Sequence, residues 1–217
     1  MNCKIVGYDF KTLEVTLGPG ETFYAERGSI VYVDTDMRRD VEMTGSNGNS
    51  GLGGLIAGAV KSALSGESLM ILKMTNPTSR ELKAVLAGSV SSLIAIKIQG
   101  EPLVCRLGYY VASTARVEVG MRLSVSGLLG GLGAMFQKIE GNATVFVDSA
   151  GTAIERVLNA GETIEVDERH LVAMRGISES RIQAGWSIGN VLRGEGVSMM
   201  RITGPGTVYM SPIGTGK

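Results

Sequence analysis

Leu13-Glu14-Val15-Thr16-Leu17 leads into Gly18-Pro19-Gly20-Glu21, and Thr22 to Asp34 leads out again. The apolar and β-branched arms favour extended chain on both sides of the turn. Pro19 presets φ at the first central position and Gly20 accepts a positive φ at the second, the requirement of a type II turn. The pattern recurs twice. Leu93-Ile94-Ala95-Ile96-Lys97-Ile98 meets Gln99-Gly100-Glu101 and continues from Pro102 to Ala112. Ala153-Ile154-Glu155-Arg156-Val157-Leu158 meets Asn159-Ala160-Gly161-Glu162 and continues from Thr163 to Met174. Each copy is expected to open with a β-hairpin. The turn glycines stand at 20, 100 and 161, spacings of 80 and 61 residues.

A Gly-rich amphiphilic stretch follows in each copy: Gly51–Leu64, Gly127–Lys138 and Gly185–Leu192. Each holds a Gly-x-x-x-Gly pair (Gly54/Gly58, Gly127/Gly131, Gly185/Gly189) and is read as a short helix. Helical glycine costs about 1 kcal/mol relative to alanine, so close approach to a neighbouring surface would have to offset it. Dense apolar segments come next, Leu69–Met74, Ala143–Val147 and Val197–Ile202. Near-continuous apolar runs mark strands covered on both faces. A Pro-Gly turn, Gly204-Pro205-Gly206, precedes Thr207-Val208-Tyr209-Met210. The expectation is a mainly β chain of three tandem units, 1–77, 78–149 and 150–217, forming one globule around a pseudo-threefold axis with short Gly-rich helices.

Composition narrows the function. Among 217 residues, 21 Lys and Arg balance 21 Asp and Glu, and there is a single His. A neutral chain with 5% aromatics lacks the basic footprint and the stacking platforms of a nucleic-acid binder, so nucleic acid is not an expected partner. One His excludes a two-His facial triad. Cys3 and Cys105, outside any CxxC, read as reduced thiols, and the start of the chain resembles neither a signal nor a transit peptide. The location expected on these grounds is cytoplasmic.

The opening Gly-Glu turn, the Gly51–Leu64 stretch and the closing Gly204–Met210 segment together resemble the "altered inheritance of mitochondria" (mitochondrial biogenesis) family, over nearly the whole chain. The resemblance implies a fold like the tryptophan RNA-binding attenuation protein (TRAP-like), a short double-stranded β-helix repeated three times. It brings no catalytic residues to transfer. Mitochondrial members carry a targeting extension that this sequence does not show.

The candidate sites are few. Glu21, Glu101 and Glu162 occupy the three turns, and as a ring about the axis they would offer oxygen ligands to a cation; the plainer reading is exposed turn residues. Period two sets Glu168 and His170 on one strand face, but His170 is the only nitrogen ligand of its kind, and a solvated strand end is the plainer reading. Leu52, Leu55, Ile56, Val60, Leu128 and Leu132 would give the Gly-rich segments an apolar interaction surface. No catalytic, cofactor or metal site is assigned. No Gly-Lys-Ser/Thr follows the glycine stretches and no Gly-x-Ser-x-Gly elbow exists. The reading is a non-enzymatic scaffold or binding protein without a cofactor, a homo-oligomer joined through β edges and Gly-rich segments, with another protein as a further partner. RNA or small-molecule binding by fold analogy is one alternative, and attachment to a membrane surface through the 52–64 stripe is another.

Overall fold

The computed structural model describes residues 1–43, 70–89, 92–124, 135–188 and 197–214. Its nineteen strands run in chain order as β1 (Asn2–Val6), β2 (Thr12–Leu17), β3 (Thr22–Glu26), β4 (Ile30–Val33), β5 (Arg38–Met43), β6 (Met70–Thr75), β7 (Leu82–Ala87), β8 (Ser92–Gln99), β9 (Leu103–Arg106) and β10 (Tyr110–Ser113). They continue as β11 (Glu118–Ser124), β12 (Met135–Glu140), β13 (Asn142–Ser149), β14 (Ile154–Leu158), β15 (Thr163–Asp167), β16 (Leu171–Arg175), β17 (Ile182–Ile188), β18 (Val197–Thr203) and β19 (Gly206–Met210). Two short 3-10 turns, Glu168–His170 and Glu179–Arg181, are the helical elements among the described residues, and no helix there is long and apolar enough to cross a membrane.

Among the described residues these strands form four antiparallel sheets. Their orders are β1-β2-β7-β4, β5-β6-β3-β10-β13-β8, β11-β12-β9-β16-β19-β14 and β15-β18-β17. Adding six to every strand of the second sheet gives the third. A bulge also recurs. The ladder shifts between Ile30 and Tyr32 on β4, between Tyr110 and Ala112 on β10, and between Leu171 and Ala173 on β16.

The Gly-Glu turns have the dihedrals expected of them and a different use. Gly20 has φ 76° and Gly161 φ 80°, and the N–H of Glu21 and of Glu162 closes each turn onto Gly18 and Asn159. The flanking strands do not pair, so the hairpin expectation is corrected. β2 and β3 belong to different sheets, as do β8 and β9, and β14 and β15. Type II geometry splays two strands where the primed turns would bring them into register. The turn is a corner between sheets.

The helix expectation is corrected where it can be compared. Residues 135–138 lie in β12 and residues 185–188 in β17. Met135-Phe136-Gln137-Lys138-Ile139-Glu140 pairs with both β9 and β11, and Phe136 and Ile139 are buried. Two neighbouring ladders satisfy the backbone of β12 there, and glycine-rich chain gains little from a helix. The rest of the Gly-rich stretches, 51–64, 127–134 and 189–192, falls outside the described residues.

Three hydrophobic clusters form the core. The first holds Leu13, Leu17, Phe23, Met74 and Leu86, and takes in Leu93, Val111, Ala112 and Phe146 from later strands. Phe23 and Phe146 meet with ring centroids 6.3 Å apart. The second holds Ile96, Leu103, Tyr110, Ile139 and Val145, and takes in Ile71 on one side and Val172, Ala173 and Tyr209 on the other. The third holds Leu158, Leu171, Met200, Ile202 and Val208, and takes in Val104 and Phe136. The dense apolar strands are deep to different degrees. In β13, residues 145–149 are all buried; β6 and β18 bury Ile71, Met74, Met200 and Ile202 but leave Arg201 exposed.

Candidate functional site

The three turn glutamates sit in matching backbone surroundings. Gly20 N–H donates to the Asn76 carbonyl at 2.9 Å, Gly100 N–H to Gly141 at 3.2 Å, and Gly161 N–H to Gly204 at 3.4 Å. The carboxylates then fold back onto their own turns. Glu21 accepts from Gly18 N–H at 2.7 Å and from the N-terminal ammonium of Met1; Glu101 accepts from Gln99 N–H at 3.0 Å. Glu162 accepts from Asn159 N–H at 3.0 Å and from Arg156. The ammonium, and then the Gly18 N–H, hold the Glu21 carboxyl below the usual range. The Asn159 N–H is the first cause of the same depression at Glu162. Each carboxylate therefore closes a turn. Among the described residues no group of three or more His, Cys, Asp or Glu side chains is placed to hold a metal ion.

His170 ends the 3-10 turn at Glu168–His170, and its Nδ1 lies 2.8 Å from the Ser211 carbonyl. A carbonyl only accepts, so Nδ1 carries the proton. The peptide N–H of Ser211 donates back to the His170 carbonyl at 2.7 Å. The ring thus fastens the C-terminal end of β19 to β16. Cys3 is half-buried and Cys105 buried. Burial raises the Cys3 thiol to about 11 and the Cys105 thiol to about 12. Both are protonated and unreactive near neutrality. Leu52, Leu55, Ile56, Val60, Leu128 and Leu132 lie outside the described residues.

Two features were not singled out in the sequence. The first is a cleft of about 540 Å³ lined by Ile5, Gly7, Lys11, Leu93, Ile94, Ala95, Ala153, Glu155 and Tyr209. It gathers β1, the connection from β1 to β2, β8, β14 and β19, and carries one cation, Lys11, and one anion, Glu155, on a lining whose accessible surface is mostly polar. Tyr209 is 6% exposed, and burial raises its phenol above the ordinary value. Tyr8 and Phe10, 96% and 77% exposed, stand in the same connection as Gly7 and Lys11. The second is the edge strand β4, where Val31 and Tyr32 are 59% and 50% exposed. The spacings of 80 and 61 carry Val31 to Val111 and Val172, which are 2% and 1% exposed. That alignment was available in the sequence; the difference in cover was not.

One family model matches nearly the whole chain, and a relative and a solved structure resemble it. The family model described as Mitochondrial biogenesis AIM24 matches residues 3–213. An uncharacterised protein of Streptococcus pyogenes serotype M6 is 27% identical over 167 residues; the match covers 76% of this chain and 66% of that protein, just under two thirds of its length. The X-ray crystal structure of protein SPYM3_0169 from Streptococcus pyogenes aligns with a TM-score of 0.72 over 98% of this chain and 94% of that one, at 23% identity, a likeness of fold.

Proposed function

The chain belongs to the Mitochondrial biogenesis AIM24 family, and on that premise we propose a non-enzymatic scaffold or binding protein that self-associates through its β edges. In this reading the chain is three six-stranded units, β2–β7, β8–β13 and β14–β19, around a pseudo-threefold axis, with a TRAP-like fold. The six-strand offset between the two large sheets, the bulge shared by β4, β10 and β16, and the clasped glycine turns support it.

The observation that carries the functional reading is the state of the edge strands. β4 and β14 keep Val31, Tyr32, Ile154 and Val157 at least half exposed on strands that, among the described residues, are bonded from one side. An apolar edge with free backbone groups is a template for another strand. Sedimentation velocity over a wide concentration range tests this. Reversible association at multiples of the chain mass supports it, and a monomer at every concentration overturns it.

Small-molecule binding is a second reading, favoured by the cleft between Lys11, Glu155 and Tyr209. A cleft of this size and mostly polar lining suits a compact ligand with polar groups that match Lys11 and Glu155. Thermal-shift screening with such compounds, repeated on Tyr209→Phe, tests it. A cytoplasmic location is proposed from Cys3 and Cys105, which form no disulfide with one another, and is tested by fractionation of the native source.

A further inference from the structure

Three sheets end at the cleft. β1, β8 and β14 are outer strands, and among the described residues each is bonded to one neighbour, β2, β13 and β19 respectively. Six of the nine lining residues, Ile5, Gly7, Leu93, Ile94, Ala95 and Ala153, have no polar side-chain atom. The polar surface they contribute is therefore backbone, the N–H and C=O groups that an edge strand leaves open. Lys11, Glu155 and Tyr209 supply the rest. Tyr209 stands opposite Glu155 in the β14–β19 ladder and is 6% exposed. Among the described residues its hydroxyl has no hydrogen-bond partner, and neither Lys11 nor Glu155 has an ion-pair partner.

β1 shows what such an edge accepts. The spacings of 80 and 61 carry Glu14 on β2 to Ile94 on β8 and Glu155 on β14. β2 holds β1 antiparallel on its outer side, with Lys4 opposite Glu14. The same side of β8 and of β14 is bare among the described residues. The connections 88–91 and 150–153 that lead into them are too short to fold back as β1 does. A covering strand needs about five residues and a turn of about two more.

Resting on the small-molecule reading of this cleft, we propose that its ligand is a short peptide with free ends, lying extended along β14. Its ammonium pairs with Glu155, as Lys4 faces Glu14 on β2, and its carboxylate pairs with Lys11. Its amides bond the open backbone of β14, and the Tyr209 hydroxyl donates to a peptide carbonyl. Small apolar side chains of the ligand meet Ile5 and Ile94. Any peptide with free ends brings both charges whatever its side chains, so recognition through ends and backbone tolerates sequence. The cleft of about 540 Å³ equals about eighteen waters at ~30 Å³ each, room for about two or three residues and more than one amino acid fills.

Isothermal titration calorimetry of the full chain with trialanine tests this. Saturable binding is expected, and N-acetylation or C-terminal amidation of the peptide should each weaken it about tenfold. The variants assign the ends. Glu155→Gln should weaken trialanine by a similar factor and leave the chain indifferent to N-acetylation; Lys11→Gln should do the same for amidation. Glu155 is exposed and Lys11 half-buried, so both variants are expected to keep the circular dichroism of the parent. Binding that ignores both variants lies elsewhere and overturns the proposal. Equal binding of the doubly blocked peptide overturns the two ion pairs, and alanine binding as tightly as trialanine overturns the extended peptide. If trialanine gives no heat while another compound gives a thermal shift that Tyr209→Phe reduces, the peptide is overturned and the small-molecule reading stands. No heat with trialanine and no shift with any compound sinks both.

Discussion

A Cβ built on Gly88 falls 2.2 Å from the carboxylate carbon of Asp148. Asp148 is wholly buried on β13, where Ser149 N–H reaches its Oδ1 at 3.0 Å and Ser89 Oγ its Oδ2 at 3.1 Å. The glycine is there for proximity, since a side chain would have to displace a buried carboxylate from its donors. Gly88→Ala is expected to cost about 3 kcal/mol, the scale of core overpacking. Urea denaturation of Gly88→Ala, Asp148→Ser and the double variant checks this. The double loss should fall short of the sum, because the shorter side chain removes the clash.

Asn76 is 0% exposed and uses its whole amide. Nδ2 donates to the carbonyls of Leu17 at 2.8 Å and Arg80 at 2.7 Å; Oδ1 accepts from Thr78 N–H at 2.9 Å and Oγ1 at 2.8 Å. It ties the end of β2 to the connection from β6 to β7. Asn76→Ala strands these partners and is expected to destabilise by about 3 kcal/mol. Asn76→Asp should be at least as harmful at neutral pH, where a carboxylate would face the two carbonyls. Its deficit should shrink in acid, where the carboxyl regains a proton to donate. Chemical melts at two pH values decide it.

The turns were legible and their consequence was not. Pro19 and Gly20 announce the dihedrals of one turn, a local property. Whether the arms then pair is decided by strands far along the chain, and β2 pairs with β7 rather than β3. The strand character of β12 and β17 was masked by glycine density that looked helical in recurrence. The exposure of Val31 was hidden for a similar reason: Ile30-Val31-Tyr32-Val33 reads as buried as Tyr110-Val111-Ala112-Ser113, and only topology removes its cover. The turn positions of Glu21, Glu101 and Glu162 were legible in the spacing; that their carboxylates fold back onto the turn follows from hydrogen bonds that spacing does not reveal.

Thiol labelling should be slow in the native protein and ordered. Cys105 lies under Gln137, whose Nε2 donates to Sγ at 3.5 Å, and burial dominates its raised pKa. Cys3 is half-buried, and the nearby ammonium partly offsets its burial. At pH 8 Cys3 should label first and Cys105 only on unfolding, as read by peptide mass mapping. Both folded pKa values lie above the ordinary 9.0. The unfolded chain therefore ionises first, and stability should decline as pH rises from about 9 toward the folded values. Cys105→Ala should flatten that alkaline limb.

Acid should act through different groups. The Arg169 guanidinium, with the Arg169 N–H, holds Asp167 below the usual range, as Asn159 and Arg156 do for Glu162. A depressed folded pKa stabilises above the unfolded value, and that stability is lost as pH falls through the folded one. Melting temperature should therefore fall below about pH 4.5. Glu162→Gln should make that acid limb shallower without altering the alkaline one, a difference that calorimetry at several pH values resolves.

The sharing of every hydrophobic cluster between neighbouring groups of strands bears on how such a chain came to exist. A peptide confined to β8–β13 would own half of two sheets, with the bare flanks of β9 and β10 open to water. Solitary life would be denied to it, and company of its own kind would be the route to a folded state. If the chain is three such units, as proposed, their fusion into one polypeptide makes permanent a partnership that folding already required.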